Sequence, residues 1–389
     1  MELLFWLLVT TCGCFLYLLL FSKVHEEDED RRRLLLARRK PFAQLRSRLG
    51  LKRIPPPLPT AHHAYSNTPL SSSSSLPSSS IFPKNNSTAA VDAPLPMIKK
   101  KHDKDNWHIW QRSEGIIHGP RKQQQCDWTR FAVPGGSTAI QICVHKRDDI
   151  SDAIKRDGKW FNCEQNTRIW KKQYMKNSNY GGIEKKVFVD IGANIGACVF
   201  EMLLATDAHI IAFEPSPRNL FYFTSTLSRL HPDLSSRVTL FPIGVGDQKV
   251  SEKLFGAVGN YGNSIVGGAV RDQDRPGQKF SLPETIHIEA LQNILNESHP
   301  ISLMKMDAQG YECNILRGMG PSAHKMVNTI LTEVAPRWLR HHRCSSVRFF
   351  QIARQAGFQI KLTNGVILKE PIGPQEPNDY DVVLSPIGS

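Results

Sequence analysis

The run Val187-Phe-Val-Asp-Ile-Gly-Ala-Asn-Ile-Gly-Ala197 constrains this chain more than any other feature. An apolar, β-branched run ends at Asp190, and Gly192, Asn194 and Gly196 follow at every second position. A second apolar run, with helical character, begins at once. A strand, a tight glycine turn and a helix start are therefore packed into a few residues. Glycine reaches positive φ without steric cost and lets another group lie against bare backbone. A helix start also points free N–H groups outward. The spacing D-x-G-x-N-x-G departs from the G-x-G-x-x-G of a dinucleotide turn. An acid ahead of the glycines repels a pyrophosphate and accepts hydrogen bonds from an ammonium.

From residue 185 onward strand and helix patterns alternate. Residues 186–191, 209–213, 237–243, 301–306 and 329–334 read as strands. Residues 197–205, 217–230, the segment after Gly310 and residues 345–356 read as helices. A short helix is expected at 291–295. Residues 358–362 and 380–384 close the domain as strands. Residues 250–290 are Gly- and Pro-rich without helical period and read as a β-hairpin insertion. Repeated βα units imply a mostly parallel sheet covered on both faces. Ligands of such sheets bind at the carboxyl ends of the strands.

Chemistry-bearing residues fall at those ends. Glu214 follows the second strand, where an acid accepts both ribose hydroxyls of an adenosine ligand or else meets a helix dipole. Together with Asp190 and the turn, the ligand that fits best is S-adenosylmethionine. Asp247 follows the third strand in Gly244-Val-Gly-Asp247. It either bonds the adenine amino group or closes a plain Gly-Asp turn. Lys305 and Asp307 alternate onto one face of the fourth strand, with Met304 and Met306 on the other. Asp307 then serves as general base or orienter for an acceptor hydroxyl, or caps the next helix. Glu312 belongs to a first helical turn and Glu333 to the tip of the fifth strand. The expected cofactor-binding set is Asp190, Gly192, Asn194, Gly196, Glu214 and Asp247, with Asp307 catalytic. No G-x-S-x-G elbow, no phosphate loop and no metal-ligand constellation is present.

Val189-Asp-Ile-Gly-Ala-Asn-Ile-Gly196, Phe213-Glu-Pro-Ser216 and Lys305-Met-Asp-Ala-Gln-Gly-Tyr-Glu312 resemble, in order and spacing, the FkbM-type methyltransferases. The resemblance covers residues 185–357. It implies a Rossmann-like class I methyltransferase fold, with a seven-stranded sheet whose last strand is antiparallel. It also implies S-adenosylmethionine-dependent O-methyl transfer to a small molecule or glycan. The family reads Asp-x-Glu-Gly where this chain has Asp307-Ala-Gln309-Gly310. Gln309 keeps a hydrogen-bonding side chain and loses a charge.

The first quarter of the 389 residues cannot pack a core. Residues 3–21 are almost wholly apolar and long enough to cross a bilayer. No small-residue cleavage site follows, so an uncleaved anchor is expected over residues 1–22. Residues 23–105 form a charged, Pro- and Ser-rich stem with little to bury. An N-terminal cap spans 106–180, with a strand-like run at 139–144, and the catalytic domain spans 181–389. The net charge is +13, but no nucleic-acid motif accompanies it, and no nucleic-acid partner is expected. Seven basic residues between Lys23 and Lys40 favour a cytosolic domain by the positive-inside rule. Anchor, stem and distal domain instead follow the plan of lumenal Golgi enzymes, and the sequons at Asn85, Asn86 and Asn296 agree with a lumen. Of eight cysteines, Cys126, Cys143 and Cys163 lie close enough to permit a disulfide, and six buried thiols would account for the same count. Two other readings remain. A stem-anchored glycosyltransferase would use Asp379-Tyr-Asp381 or Asp272-Gln-Asp274 for a metal and a sugar nucleotide. A non-catalytic binding module would keep the fold alone.

Overall fold

The computed structural model describes residues 95, 97–100, 107–119, 124–133, 138–175, 186–267, 277–297, 300–372 and 379–388. The expected anchor, most of the stem, and Asp272 and Asp274 lie outside the described residues. Among the described residues no helix is long and apolar enough to cross a membrane.

Two strands, β1 (Asp127–Ala132) and β2 (Ala139–Val144), precede helices α1 (Asp149–Asp157) and α2 (Glu164–Trp170). Then β3 (Val187–Ile191), α3 (Ala197–Ala205), β4 (His209–Phe213), α4 (Pro217–Arg229) and β5 (Val238–Phe241) alternate. Four strands follow: β6 (Gly244–Gly246), β7 (Val250–Phe255), β8 (Ile265–Val266) and β9 (Glu284–Ala290). The chain continues with β10 (Leu303–Met306), α5 (Glu312–Gly318), β11 (Ile330–Val334), α6 (Pro336–His341), α7 (Ser346–Gln355), β12 (Phe358–Leu362) and β13 (Tyr380–Pro386).

The main sheet has seven strands in the order β12-β13-β11-β10-β3-β4-β5. The pairs joining β11, β10, β3, β4 and β5 are parallel, and β13 runs antiparallel to both its neighbours. This is the expected mixed methyltransferase-like sheet, with its last strand reversed. Strand alternation sends successive side chains to opposite faces. Val187, Val189 and Ile191 enter one core together with Ile211, Phe213, Met304 and Met306. Phe188, Ile210, Ala212 and Leu303 enter the other. Both faces are therefore buried, as a parallel sheet requires. The same parity puts Asp190, Lys305 and Asp307 on the face of Phe188 and Leu303.

That second core is shared with the cap. Phe131, Ile142, Val144, Ile154 and Trp170 pack in one cluster with Val199, Phe200 and Phe223. The cap contains the expected strand at 139–144, and also two helices that its sequence did not announce. α1 starts where Asp148 accepts from Ser151 N, and ends at Gly158 with φ 69°. Such an N-cap and left-handed C-cap fix a nine-residue helix locally.

Three expectations are corrected. The stem boundary at 105 falls too late: Leu95, Met97 and Ile98 are buried beside Leu291, Ile294 and Leu295. Ile98 bridges Leu295, and Lys99 N donates to Ile294 O at 2.8 Å. The insertion is more than a hairpin, because β6-β9-β7-β8 form a four-stranded sheet of their own. The third strand of the main sheet stops at Phe241, since Pro242 has no N–H to continue the ladder.

The six cysteines among the described residues are all paired. Cys126–Cys143 crosses the cap hairpin, Cys163–Cys198 joins the start of α2 to α3, and Cys313–Cys344 ties α5 to the start of α7. Cys163–Cys198 closes a separation of 35 residues. Opening it by the double substitution Cys163→Ser and Cys198→Ser is expected to cost about 2–4 kcal/mol by loop entropy. Thermal melting checks this, and non-reducing peptide mapping should recover the three linked pairs. An unchanged melting temperature would show that the bond does not fasten the cap.

Candidate functional site

The glycine turn after β3 is held from two sides. Gly192 N and Ala193 N both donate to Phe213 O at 3.0 Å. Asn194 N donates to Glu214 Oε2 at 2.7 Å. Gly192 has φ +80°, and a Cβ there would lie 2.0 Å from Asp307 O. Asn194 itself adopts φ 54°, the left-handed region that Asn tolerates better than most residues. Packing against β10 and β4 therefore demands the turn's sequence independently of any ligand.

Two cavities open at the carboxyl edge of the sheet. The first has about 600 Å³ of open space. Its walls are mainly apolar, with Phe213, Pro215, Ile243, Val245, Ile288 and Tyr311 among them. Glu214 lies at its floor. Burial pushes this carboxyl up to about 7, against the pull of hydrogen bonds from Ser216, Asn194 and Asn219. Oε1 accepts from Ser216 N at 2.9 Å and Asn219 Nδ2 at 3.3 Å, while Oε2 accepts from Asn194 N alone. A carboxylate has about four acceptor positions, so the open one is on Oε2.

The second cavity has about 940 Å³ of open space. Lys305, Asp307, Glu333 and Asp381 line it from the sheet, Trp160, Asn162 and Gln165 from the cap, and Asn263 from the insertion. Glu333 and Asp381 are register partners on β11 and β13. Burial, followed by the charges of Asp307, Asp379 and Asp381, pushes Glu333 up to about 8. Burial and Asp307 also raise Asp381, while Lys305 opposes them. The cavities share Gly192, Asn194, Gly262, Asp307 and Gln309.

Lys305 organises this junction. Its Nζ lies 3.4 Å from Asp190 Oδ1 and 3.3 Å from Asp307 Oδ2. Burial works against its charge, but the two carboxylates outweigh it and hold the pKa above the ordinary lysine range. Gln309 Nε2 donates to Asp307 Oδ1 at 2.9 Å. Both oxygens of Asp307 are thus held, and a glutamate at 309 could not donate this bond. Gln309 takes φ 51°, and Gly310, at φ +99°, packs against Trp338 of α6 so tightly that a Cβ would come within 2.4 Å.

The expected site residues divide. Gly192, Asn194, Glu214 and Asp307 meet at the cavities. Asp190 does not line either of them: it is wholly buried against Lys305. Gly196 is a packing glycine, because a Cβ there would lie 2.7 Å from Phe223 and 2.8 Å from Phe200. Asp247 turns toward α5, accepting from Asn314 Nδ2 at 3.4 Å with Arg317 at 3.9 Å. Asp307 does not cap α5, whose N-cap is Tyr311. Glu312 braces the same loop by accepting from Ala308 N at 2.9 Å. Trp160, Asn162, Gln165, Asn263 and Tyr261 carry no sequence signal, since cap and insertion have no motif. Asp381 was visible only within Asp379-Tyr-Asp381. Among the described residues no group of three His, Cys, Asp or Glu is placed to hold a metal ion.

Residues 190–360 match the family model of the methyltransferase FkbM domain. No relative was found among curated protein sequences. Among solved structures the chain is similar to a putative transferase, PH0793, from Pyrococcus horikoshii. That match has 15% identity and TM-score 0.30, covering 67% of this chain and 71% of the other. It is also similar to precorrin-6y C5,15-methyltransferase from Geobacter metallireducens, with 12% identity, TM-score 0.26, and coverage of 54% and 85%. A third is phosphoethanolamine N-methyltransferase 2 from Haemonchus contortus in complex with S-adenosyl-L-methionine. Its match has 11% identity and TM-score 0.25, covering 57% and 48%.

Burial pushes Glu201, Glu214 and Glu312 up to about 7, and Glu333 to about 8. Each holds its proton more tightly folded than unfolded, so its contribution is full at low pH and is lost as pH rises through 7 to 8. Buried His145 and half-buried His342, pushed down to about 3 and 4, act in the opposite sense, but only below the ordinary histidine value of 6.5. From about pH 6.5 to about pH 8.5 the melting temperature should therefore fall. A rise across that interval would contradict these buried, protonated carboxyls.

Proposed function

We propose, on the premise that this chain carries an FkbM-type methyltransferase domain, that it moves a methyl group from S-adenosylmethionine to a hydroxyl of a small molecule or glycan. S-adenosylmethionine is the methyl donor of that family. The observation that carries the reading is the junction of an apolar slot and a polar cavity at Gly192, Asn194, Asp307 and Gln309.

The residues present fit the donor. Asn194 Oδ1 is buried without a hydrogen-bond partner, and an ammonium would satisfy it. Glu214 Oε2 has one position open for a ribose hydroxyl. Phe213, Pro215, Ile243 and Val245 offer an apolar slot to an adenine ring. When bound, the donor supplies a methyl group on a positively charged sulfur that departs as a neutral thioether. The acceptor hydroxyl must then reach the junction from the polar side and give up its proton as its oxygen forms the new bond. Asp307 is the carboxylate placed to take that proton, with Lys305 and Gln309 fixing its orientation. Positioning supplies most of the acceleration, and proton removal adds about 10²–10⁴-fold.

Calorimetry of the full chain with S-adenosylhomocysteine is expected to show saturable binding. Asp307→Asn should keep that affinity and lower methyl transfer by about 10²–10⁴-fold. No binding would sink the whole reading, and undiminished transfer would remove Asp307 from its role.

We also propose that the domain faces the lumen of an endomembrane compartment, behind the anchor expected at residues 3–21. Three disulfides support this, since such bonds persist in oxidising compartments. Asn296 of the sequon Asn296-Glu297-Ser298 is half-buried, directly before a turn residue. In cells, a glycosidase-sensitive mass shift should be reduced in Asn296→Gln. A domain accessible to a cytosolic biotin ligase would overturn the topology.

A further inference from the structure

The second cavity says more about the acceptor than the fold does. Resting on the methyltransferase reading above, we propose that the acceptor is a neutral carbohydrate, with Trp160 covering one face of the ring and Glu333 and Asp381 binding neighbouring hydroxyls.

The lining excludes other acceptors in turn. An amine among Asp307, Glu333 and Asp381 would be held in its charged form, because nearby carboxylates favour a cation. A protonated nitrogen has no lone pair with which to attack a methyl group, so an amine bound there must first lose a proton that the neighbouring acids favour keeping. A phosphate or carboxylate would face the same acids. The cavity's lysine offers little relief, since Lys305 already lies between Asp190 and Asp307. An apolar acceptor would cover the amides of Asn162 and Gln165 and the acids of the sheet without offering them a hydrogen bond. A neutral molecule dense in hydroxyls meets all of these demands.

The geometry adds direction. Glu333 and Asp381 sit opposite each other on antiparallel strands, where side chains start about 4.5–5.5 Å apart. Two acids at that spacing reach two hydroxyls of one ring. With Glu333 pushed up to about 8, one acid donates while the other accepts, which matches a hydroxyl's double capacity. From the cap, Trp160 and Ile150 add apolar lining to the cavity, suited to the C–H face of a sugar. Trp160 is only partly buried, and its neighbour Phe161 is 65% exposed, with ring centroids 4.4 Å apart. That aromatic pair continues the apolar surface from the cavity lining to solvent.

Saturation-transfer NMR on the full chain, with S-adenosylhomocysteine present, tests this. The probes are methyl glycosides of common neutral hexoses and deoxyhexoses, an amino sugar and a hexose phosphate. At least one neutral glycoside should receive saturation, and the amino sugar and phosphate should not. Glu333→Ala and Asp381→Ala should each weaken the glycoside about ten-fold, as expected for one lost hydrogen bond. Trp160→Ala should abolish its signal. S-adenosylhomocysteine affinity should stay unchanged in all three, which shows that each variant folds. Binding of S-adenosylhomocysteine without any neutral glycoside, or preference for the amine or phosphate, overturns the acceptor class and leaves methyl transfer standing. Failure of S-adenosylhomocysteine to bind removes both.

Discussion

One buried cation holds the working edge of this sheet together. Lys305 lies between Asp190 on the neighbouring strand and Asp307 two residues further along its own. The pairing follows from register: Lys305 and Asp190 are partners in the parallel β10–β3 ladder, and period-two alternation points both to the same face. Removing the lysine would leave a wholly buried carboxylate uncompensated, a loss of about 3–5 kcal/mol. A buried pair of this kind is weak support for stability, because desolvation offsets its attraction. Its value lies in position. It fixes the one carboxylate that faces both cavities, and Gln309 fixes that carboxylate from the other side.

Everything chemically active follows from the parity of the strands. Odd-numbered residues of β3 and β4 and even-numbered residues of β10 feed one apolar core. The opposite set faces the cap, and at the carboxyl ends of the strands that set becomes Asp190, Lys305, Asp307 and Glu333. β13 then adds Asp381 by antiparallel pairing. The cap turns this row of polar tips into a cavity. Trp160, Asn162 and Gln165 close it from outside, and Cys163–Cys198 fastens that segment to α3. The disulfide thus ties to α3 the cap segment that lines the polar cavity.

The insertion has a similar double role. Asp148 caps α1 through Ser151 and also accepts from Tyr261 N at 2.8 Å. The loop bearing Gly262 is thereby pinned to the cap over the junction of the two cavities. A Cβ at Gly262 would lie 2.9 Å from Asn194 Nδ2, so the loop presses directly on the glycine turn. Cap, insertion and turn form one assembly, although 113 residues separate Asp148 of the cap from Tyr261 of the insertion.

How far the sequence reached can be judged residue by residue. The sheet was legible because apolar period and glycine punctuation are local, and the family resemblance rested on three short motifs. Gly192, Asn194, Glu214 and Asp307 were found because strand tips in a parallel sheet share an edge. Asp190 and Gly196 sat in the same motif and serve packing instead. A string of residues does not say whether an acid faces a ligand or a lysine from another strand. Asp247 turned to Arg317 for the same reason. Sequence by itself determined the alternating elements, the turn and the residues at the strand ends. Tertiary structure alone decided which of those ends are open, which six cysteines pair with which, and that Trp160, Asn263 and Asp381 share a cavity. Each of these depends on contacts between distant segments, and no local pattern encodes them.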